Sequence, residues 1–136
     1  MKIFVCTSRY LYHTAEPIIE ELERCGHEIT VPNNYDDAGR ENRIKAEQAN
    51  DYPAWKAEMF RKQSAKVAAN DAILVLNFEK EGKPNYIGGA TFLEIFKAWE
   101  LGKKIYFYNP IPDGILRDEL LGMNPVILNG NLKAVG

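Results

Sequence analysis

Five short runs rich in β-branched and aromatic residues recur along this chain, and a segment too long for a tight hairpin separates each from the next. They are residues 3–6 (IFVC), 27–31 (HEITV), 73–78 (ILVLNF), 105–108 (IYFY) and 125–128 (PVIL). Neighbouring strands that lack hairpins run parallel, and a parallel pair needs a crossover, normally a helix. The pattern therefore predicts a doubly wound three-layer α/β sandwich, with residues 1–136 forming one domain. Five parallel strands favour the flavodoxin-like order 2-1-3-4-5, in which the switch point lies between the first and third strands.

The intervening segments carry helical signals. Thr14 is placed to cap a helix with Glu16 and Pro17 in its first turn and Ile18, Ile19 and Leu22 facing the core; Gly26 ends it. Residues 40–50 are charged and read as a weakly packed helix. Asp51 and Pro53 then open a longer one over residues 54–69, with Trp55, Met59, Phe60 and Val67 at helical intervals. Another helix starts near Gly89 or Ala90 and stops at Gly102, and a short one covers residues 115–121.

The strand order places two loops, residues 7–13 and 78–91, across one crevice at the carboxyl ends of the strands, where open α/β sheets bind ligands. A formal charge of −2, with both signs interspersed, gives no electrostatic footprint for nucleic acid or a membrane surface. The chain becomes a strand at once, and no apolar run approaches the roughly 20 residues of a spanning helix, so a cytoplasmic soluble protein is expected. Cys6 and Cys25 lack CxxC spacing and read as reduced packing residues. His13 and His27 are too few and too separated to suggest zinc, so neither a metal nor a cofactor is expected.

Several residues at the expected crevice could carry chemistry. Glu94 falls in or just beyond the first turn of its helix, where the macrodipole favours a carboxylate. The spacing of Thr91, Glu94 and Lys97 fits equally a solvated Glu94–Lys97 pair. Gly88 and Gly89 precede that helix and can present N–H groups to a phosphate or sugar oxygen, although the loop is neither GxGxxG nor a Walker sequence. Thr7, Ser8, Arg9 and Tyr10 follow the first strand with hydroxyls, a guanidinium and a phenol suited to a hydroxylated or anionic ligand. Asn77, near the end of the third strand, faces the crevice if the strand's alternation continues that far. Asp71 reads as a turn or capping residue. Trp55, Phe96 and Trp99 read as core or subunit-interface residues rather than platforms for a base.

Cys6-Thr7-Ser8 after the first strand, Asp71-Ala72-Ile73-Leu74-Val75 at the third, and Thr91, Glu94, Ala98, Gly102 and Lys103 along the key helix resemble the nucleoside 2-deoxyribosyltransferase superfamily, which includes deoxynucleotide N-glycosidases. The family's helix pattern is close to Asp-x-Gly-Thr-x-x-Glu-x-Gly-x-Ala, with a Gly-Lys pair before the next strand. Gly88, Ala90 and Phe96 stand here in place of its Asp and its two glycines. The resemblance implies a small nucleoside or nucleotide as substrate and Glu94 as nucleophile in N-glycosidic cleavage or deoxyribosyl transfer. It implies Thr7, Ser8 and Arg9 as sugar or phosphate ligands, and a homo-oligomer. Asp71, Glu79 and Asn85 are the candidates for the acid that serves the departing base. The alternatives are a nucleotide- or sugar-phosphate-binding module without turnover, and a structural protein acting through a dimer face.

Overall fold

A computed structural model describes residues 1–136. Its strands are β1 (Lys2–Cys6), β2 (Glu28–Thr30), β3 (Ala72–Val75), β4 (Lys104–Phe107) and β5 (Val126–Ile127). All pairings are parallel and the sheet order is β2-β1-β3-β4-β5, the flavodoxin-like arrangement expected. The helices are α1 (Glu16–Arg24), α2 (Arg40–Glu47), α3 (Tyr52–Ala69), α4 (Gly89–Glu100) and α5 (Arg117–Met123).

The two central strands explain the layering. Every residue from Ile3 to Cys6 and from Ala72 to Val75 is fully buried, as befits strands covered on both faces. Because successive side chains point to opposite faces, each strand feeds two cores. Ile3, Val5, Ala72 and Leu74 pack with Ile18, Ile19 and Leu22 of α1 and with Leu128 and Val135 of the chain's end. Phe4, Cys6, Ile73 and Val75 pack on the other side with Val67 of α3, Ile95 and Ala98 of α4, and Leu120 of α5. Removing a large side chain from either core, Phe4→Ala for example, costs about 3–5 kcal/mol.

Local signals succeed at helix ends and fail at two starts. Gly26 and Gly102 adopt φ of 92° and 69°, the left-handed region where a Cβ is unfavourable. The following amides of His27 and Lys103 reach back to Leu22 O (3.1 Å) and Ala98 O (2.8 Å), closing both helices in Schellman fashion. Thr14, by contrast, does not cap α1. A 3₁₀ helix spans Arg9–Thr14, the Thr14 hydroxyl donates to Leu11 O at 2.6 Å, and Ala15 is the N-cap without a side-chain bond. Ser8 caps the 3₁₀ turn instead, accepting from Tyr10 N. Asp51 stands at the N-cap of α3, but its side chain makes no capping bond.

β3 is shorter than the apolar run suggests. Leu76 N still bonds Cys6 O, but Phe78 N then turns back to Leu76 O at 3.0 Å, which ends the extended chain. α5 starts two residues later than expected, leaving Ile115 almost wholly exposed. Phe96 and Trp99 lie exposed on α4 with ring centroids 5.8 Å apart, and Trp55 is half-buried, so none of the three is a core residue of the chain. No helix is long and apolar enough to cross a membrane.

Candidate functional site

Strand order determines where the chain opens. Beyond the tips of β1 and β3 the connections diverge to opposite faces of the sheet, and the gap becomes a cleft of about 180 Å³. One wall is the 3₁₀ turn after β1, a second is the amino end of α4, and α2 with α3 close the third.

Glu94 comes from the α4 wall. The buried residues of that helix are Thr91, Glu94, Ile95 and Ala98, an i, i+3, i+4, i+7 stripe, so the carboxyl sits on the inward face one turn beyond the helix mouth. It is 7% exposed. The solvated pair that the spacing also allowed is absent, because Lys97 turns to Glu100 at 3.1 Å. The carboxyl neighbours the Cys6 thiol, which donates to Phe4 O at 3.8 Å.

Burial in this largely apolar setting pushes Glu94 up to about 8, while the Cys6 thiol and the charges of Lys66 and Lys56 pull it down by less. Burial first, and then the Glu94 charge, raise Cys6 well above its ordinary value, so this cysteine is a neutral donor rather than a reactive thiolate. The first hydrogen bond of α4 runs from Phe92 N to Gly88 O at 2.9 Å, leaving the amides of Gly89, Ala90 and Thr91 at the cleft without helical acceptors.

The loop after β1 supplies the opposite wall. Thr7 is buried and donates to Leu76 O at 3.0 Å, which joins the tips of β1 and β3 at the cleft floor. Ser8 lines the cleft while capping its own turn. Arg9 directs Nη2 to Tyr10 Oη (2.7 Å) and Asn42 Oδ1 (3.1 Å) and Nη1 to Glu41 (3.2 Å), and its buried Nε has no partner. The Tyr10 ring lies under both Arg9 (4.6 Å) and Lys80 (4.1 Å). Lys80 also covers Tyr86, so the two loops across the cleft mouth meet through one cation.

Gly88, Gly89 and Thr91 line the cleft as the sequence suggests. A Cβ at Gly88 would meet Tyr86 Oη at 3.2 Å, so Tyr86 crowds the space into which a side chain at position 88 would project.

Asn77 is a correction. It is fully buried, and its Oδ1 accepts from Asn109 N (2.8 Å) while its Nδ2 donates to Asn109 O (2.9 Å) and Pro110 O (3.0 Å). The tight turn at residues 76–78 breaks the alternation and aims the amide at the exit of β4, where it clamps two loops together. The three candidate acids also lie elsewhere. Asp71 accepts from Lys2 N at 2.9 Å at the amino end of the sheet, Glu79 is exposed, and Asn85 lines a separate hollow beside residues 111–116.

Other cleft residues were not singled out from the sequence. Glu41 is 9% exposed although α2 is mostly polar. It accepts from Tyr52 Oη (2.6 Å) and Lys56 Nζ (3.0 Å) and pairs with Arg9 Nη1 at 3.2 Å. Burial acts to raise it, but the hydrogen bonds from Tyr52 and Lys56 and the charges of Lys56 and Arg9 together hold it below the ordinary carboxylate value. Gln63, donating to Ala90 O at 3.2 Å, had a legible signal: it is the polar member of the buried stripe Met59, Gln63, Val67. Tyr12 also lines the cleft and donates to Asn33 O at 2.8 Å. Nowhere in the chain do three or more His, Cys, Asp or Glu side chains gather as a metal site.

The fold and cleft together define a doubly wound α/β protein with a recessed, unpaired carboxyl at its topological switch point. The chain matches no protein-family model, and none of the curated proteins matches it.

Proposed function

We propose that this cleft cleaves or transfers the N-glycosidic bond of a small nucleoside or nucleotide, with Glu94 as the attacking carboxylate. The observation that carries the reading is Glu94 itself: a carboxyl 7% exposed, free of any ion pair, on a wall shared with the tip of β1. A space of about 180 Å³ is below the roughly 300–1,000 Å³ of pockets that enclose drug-sized ligands. It fits a sugar ring, with the base extending toward the mouth.

The reaction balances without another acid in the cleft. With its value raised to about 8, Glu94 is mostly protonated at pH 7. Its ionised oxygen attacks C1′ as the C1′–N bond breaks, and the bonding pair departs with the base nitrogen, through an oxocarbenium-like transition state. The proton released when Glu94 ionises balances the one the base takes up. Water or a second base then attacks C1′ and frees the carboxylate. The unpaired amides at the mouth of α4 favour negative charge on that wall as it develops.

Incubation with a panel of deoxynucleosides and their 5′-phosphates tests the reading. Base release or exchange that disappears in Glu94→Gln is the expected outcome. Absence of both across the panel, or turnover unchanged by the substitution, overturns it.

A further inference from the structure

We infer that Glu41 is a built-in counter-anion for Arg9 and Lys56, so that the cleft accepts an uncharged nucleoside and discriminates against its 5′-phosphate. The nucleoside part rests on the function proposed above; the counter-anion part does not.

The argument starts from the charges that line the cleft. The cationic and carboxyl side chains there are Arg9, Lys56, Glu41 and Glu94, and because Glu94 is mostly protonated at neutral pH, Glu41 is the anion that faces the two cations. Both cations converge on one Glu41 carboxylate, Arg9 at 3.2 Å and Lys56 at 3.0 Å, and the Tyr52 phenol adds a third donor at 2.6 Å. A guanidinium, an ammonium and a hydroxyl around one point are the donors that would bind a phosphate oxygen cluster. Here the protein fills that point with its own carboxylate.

Apart from the buried Arg9 Nε, the other cationic donors nearby are held elsewhere: Lys80 lies at the mouth over the Tyr10 and Tyr86 rings. The second Arg9 nitrogen is held by Tyr10 and Asn42, and Lys66, behind the cleft, donates to Val31 O at 2.8 Å. A phosphate entering beside Glu41 would meet a like charge whose cations are already engaged. Displacing Glu41 would undock α2, because Glu41 is that helix's one buried side chain. The arrangement suits a neutral donor better: a sugar hydroxyl can give a hydrogen bond to the carbonyl oxygen of Gln63, which commits its Nε2 to Ala90 O.

The test compares the wild-type chain with Glu41→Gln, which keeps the shape and removes the charge. Melting temperature and calorimetric Kd are read with inorganic phosphate, a panel of deoxynucleosides, and their 5′-monophosphates. Expected for the wild type is no shift with phosphate and at least tenfold weaker binding of a monophosphate than of its nucleoside. Glu41→Gln should gain at least tenfold in monophosphate affinity and respond to inorganic phosphate. Tyr52→Phe, which loosens α2 but keeps the carboxylate, should remain insensitive to phosphate.

A wild-type chain that binds phosphate, or binds a monophosphate as tightly as the nucleoside, overturns the inference even if Glu41→Gln does not fold. An equal phosphate gain in Tyr52→Phe and Glu41→Gln also overturns it, since loosening rather than charge would then be the cause. If nucleosides bind neither protein, the proposed function fails, while the inorganic phosphate arm still decides the role of Glu41.

Discussion

The cleft holds two buried carboxyls whose walls treat them in opposite ways. Glu94 projects from a helix packed into the sheet core, beside Ile95, Ala98 and Cys6, and burial pushes it up to about 8. Glu41 projects from a polar helix into a nest of donors, where Tyr52, Lys56 and Arg9 overcome burial and hold it down. Their exposures, 7% and 9%, are nearly the same. Similar surface exposure therefore does not set the protonation state; depth in the apolar core and the donors around each carboxyl do. Two carboxyls driven apart in this way take different roles, one able to exchange its proton near neutrality and one charged at neutral pH.

The largest effect expected from breaking this contrast is on turnover. Glu94→Gln removes the attacking oxygen, and base release should fall by about 10³-fold or more. In the unaltered protein, kcat/KM should be level near neutrality and fall as pH rises through about 8, as Glu94 in the free enzyme loses the proton that the departing base takes up. A profile that stays flat above about pH 8 would show that Glu94 does not limit the reaction in this way.

The same substitution should act on stability with the opposite sign. Glu94 carries a folded value of about 8 against an ordinary 4.5, so between these pH values the folded chain keeps a proton that the unfolded chain has lost. Stability contributed by this residue is thus present below about pH 4.5, falls as pH rises, and is at its minimum above about pH 8. Glu94→Gln abolishes that slope and should be the more stable protein at pH 9, by about 2–4 kcal/mol, with little difference at pH 4. Denaturant titrations of both proteins across this range measure it. An equal offset at every pH would mean that packing, not charge, separates them.

Glu41→Ala should destabilise instead, by about 1–3 kcal/mol, because Arg9, Lys56 and Tyr52 lose a shared acceptor in a partly buried setting. Its pH dependence is the mirror image of that of Glu94. A carboxyl held below its ordinary value contributes stability above about pH 4.5 that is lost as pH falls through the lowered value. The deficit of Glu41→Ala relative to the wild type should therefore be full at pH 7 and shrink in acid. A deficit that persists unchanged in acid would assign the cost to α2 packing.

How far these features were legible in the sequence follows from the range of the forces behind them. The sheet order came from apolar runs and crossovers, which are local patterns, and β1 and β3 are buried throughout as their composition requires. The Glu94 stripe was also local, yet Lys97 lies as close to it in sequence as Thr91 does, and only docking on the sheet selects the inward face. Glu41 was beyond reach. Its partners come from β1's loop and from α3, 15 residues away in the case of Lys56, and nothing in a polar helix marks one acid as buried. Asn77 and Thr14 failed for a shared reason, since tight backbone turns at residues 76–78 and 9–14 redirected side chains that a regular period would have aimed elsewhere.

The smallest expected effect is a control on the contrast itself. Lys97 lies three residues beyond Glu94, about one turn, so a helical wheel pairs it with the cleft carboxyl, whereas the structure pairs it with Glu100 at 3.1 Å on the solvent side. An exposed i,i+3 pair contributes about 0.3–0.5 kcal/mol and is screened by salt. Lys97→Ala should therefore change stability by no more than about 0.5 kcal/mol and leave the pH midpoint of kcat/KM where it was. Lys56→Met, which removes one of the cations that pull Glu94 down, should move that midpoint upward. If Lys97→Ala moved the midpoint and Lys56→Met did not, Glu94 would face solvent on the α4 surface, and the two-walled cleft would no longer account for its chemistry.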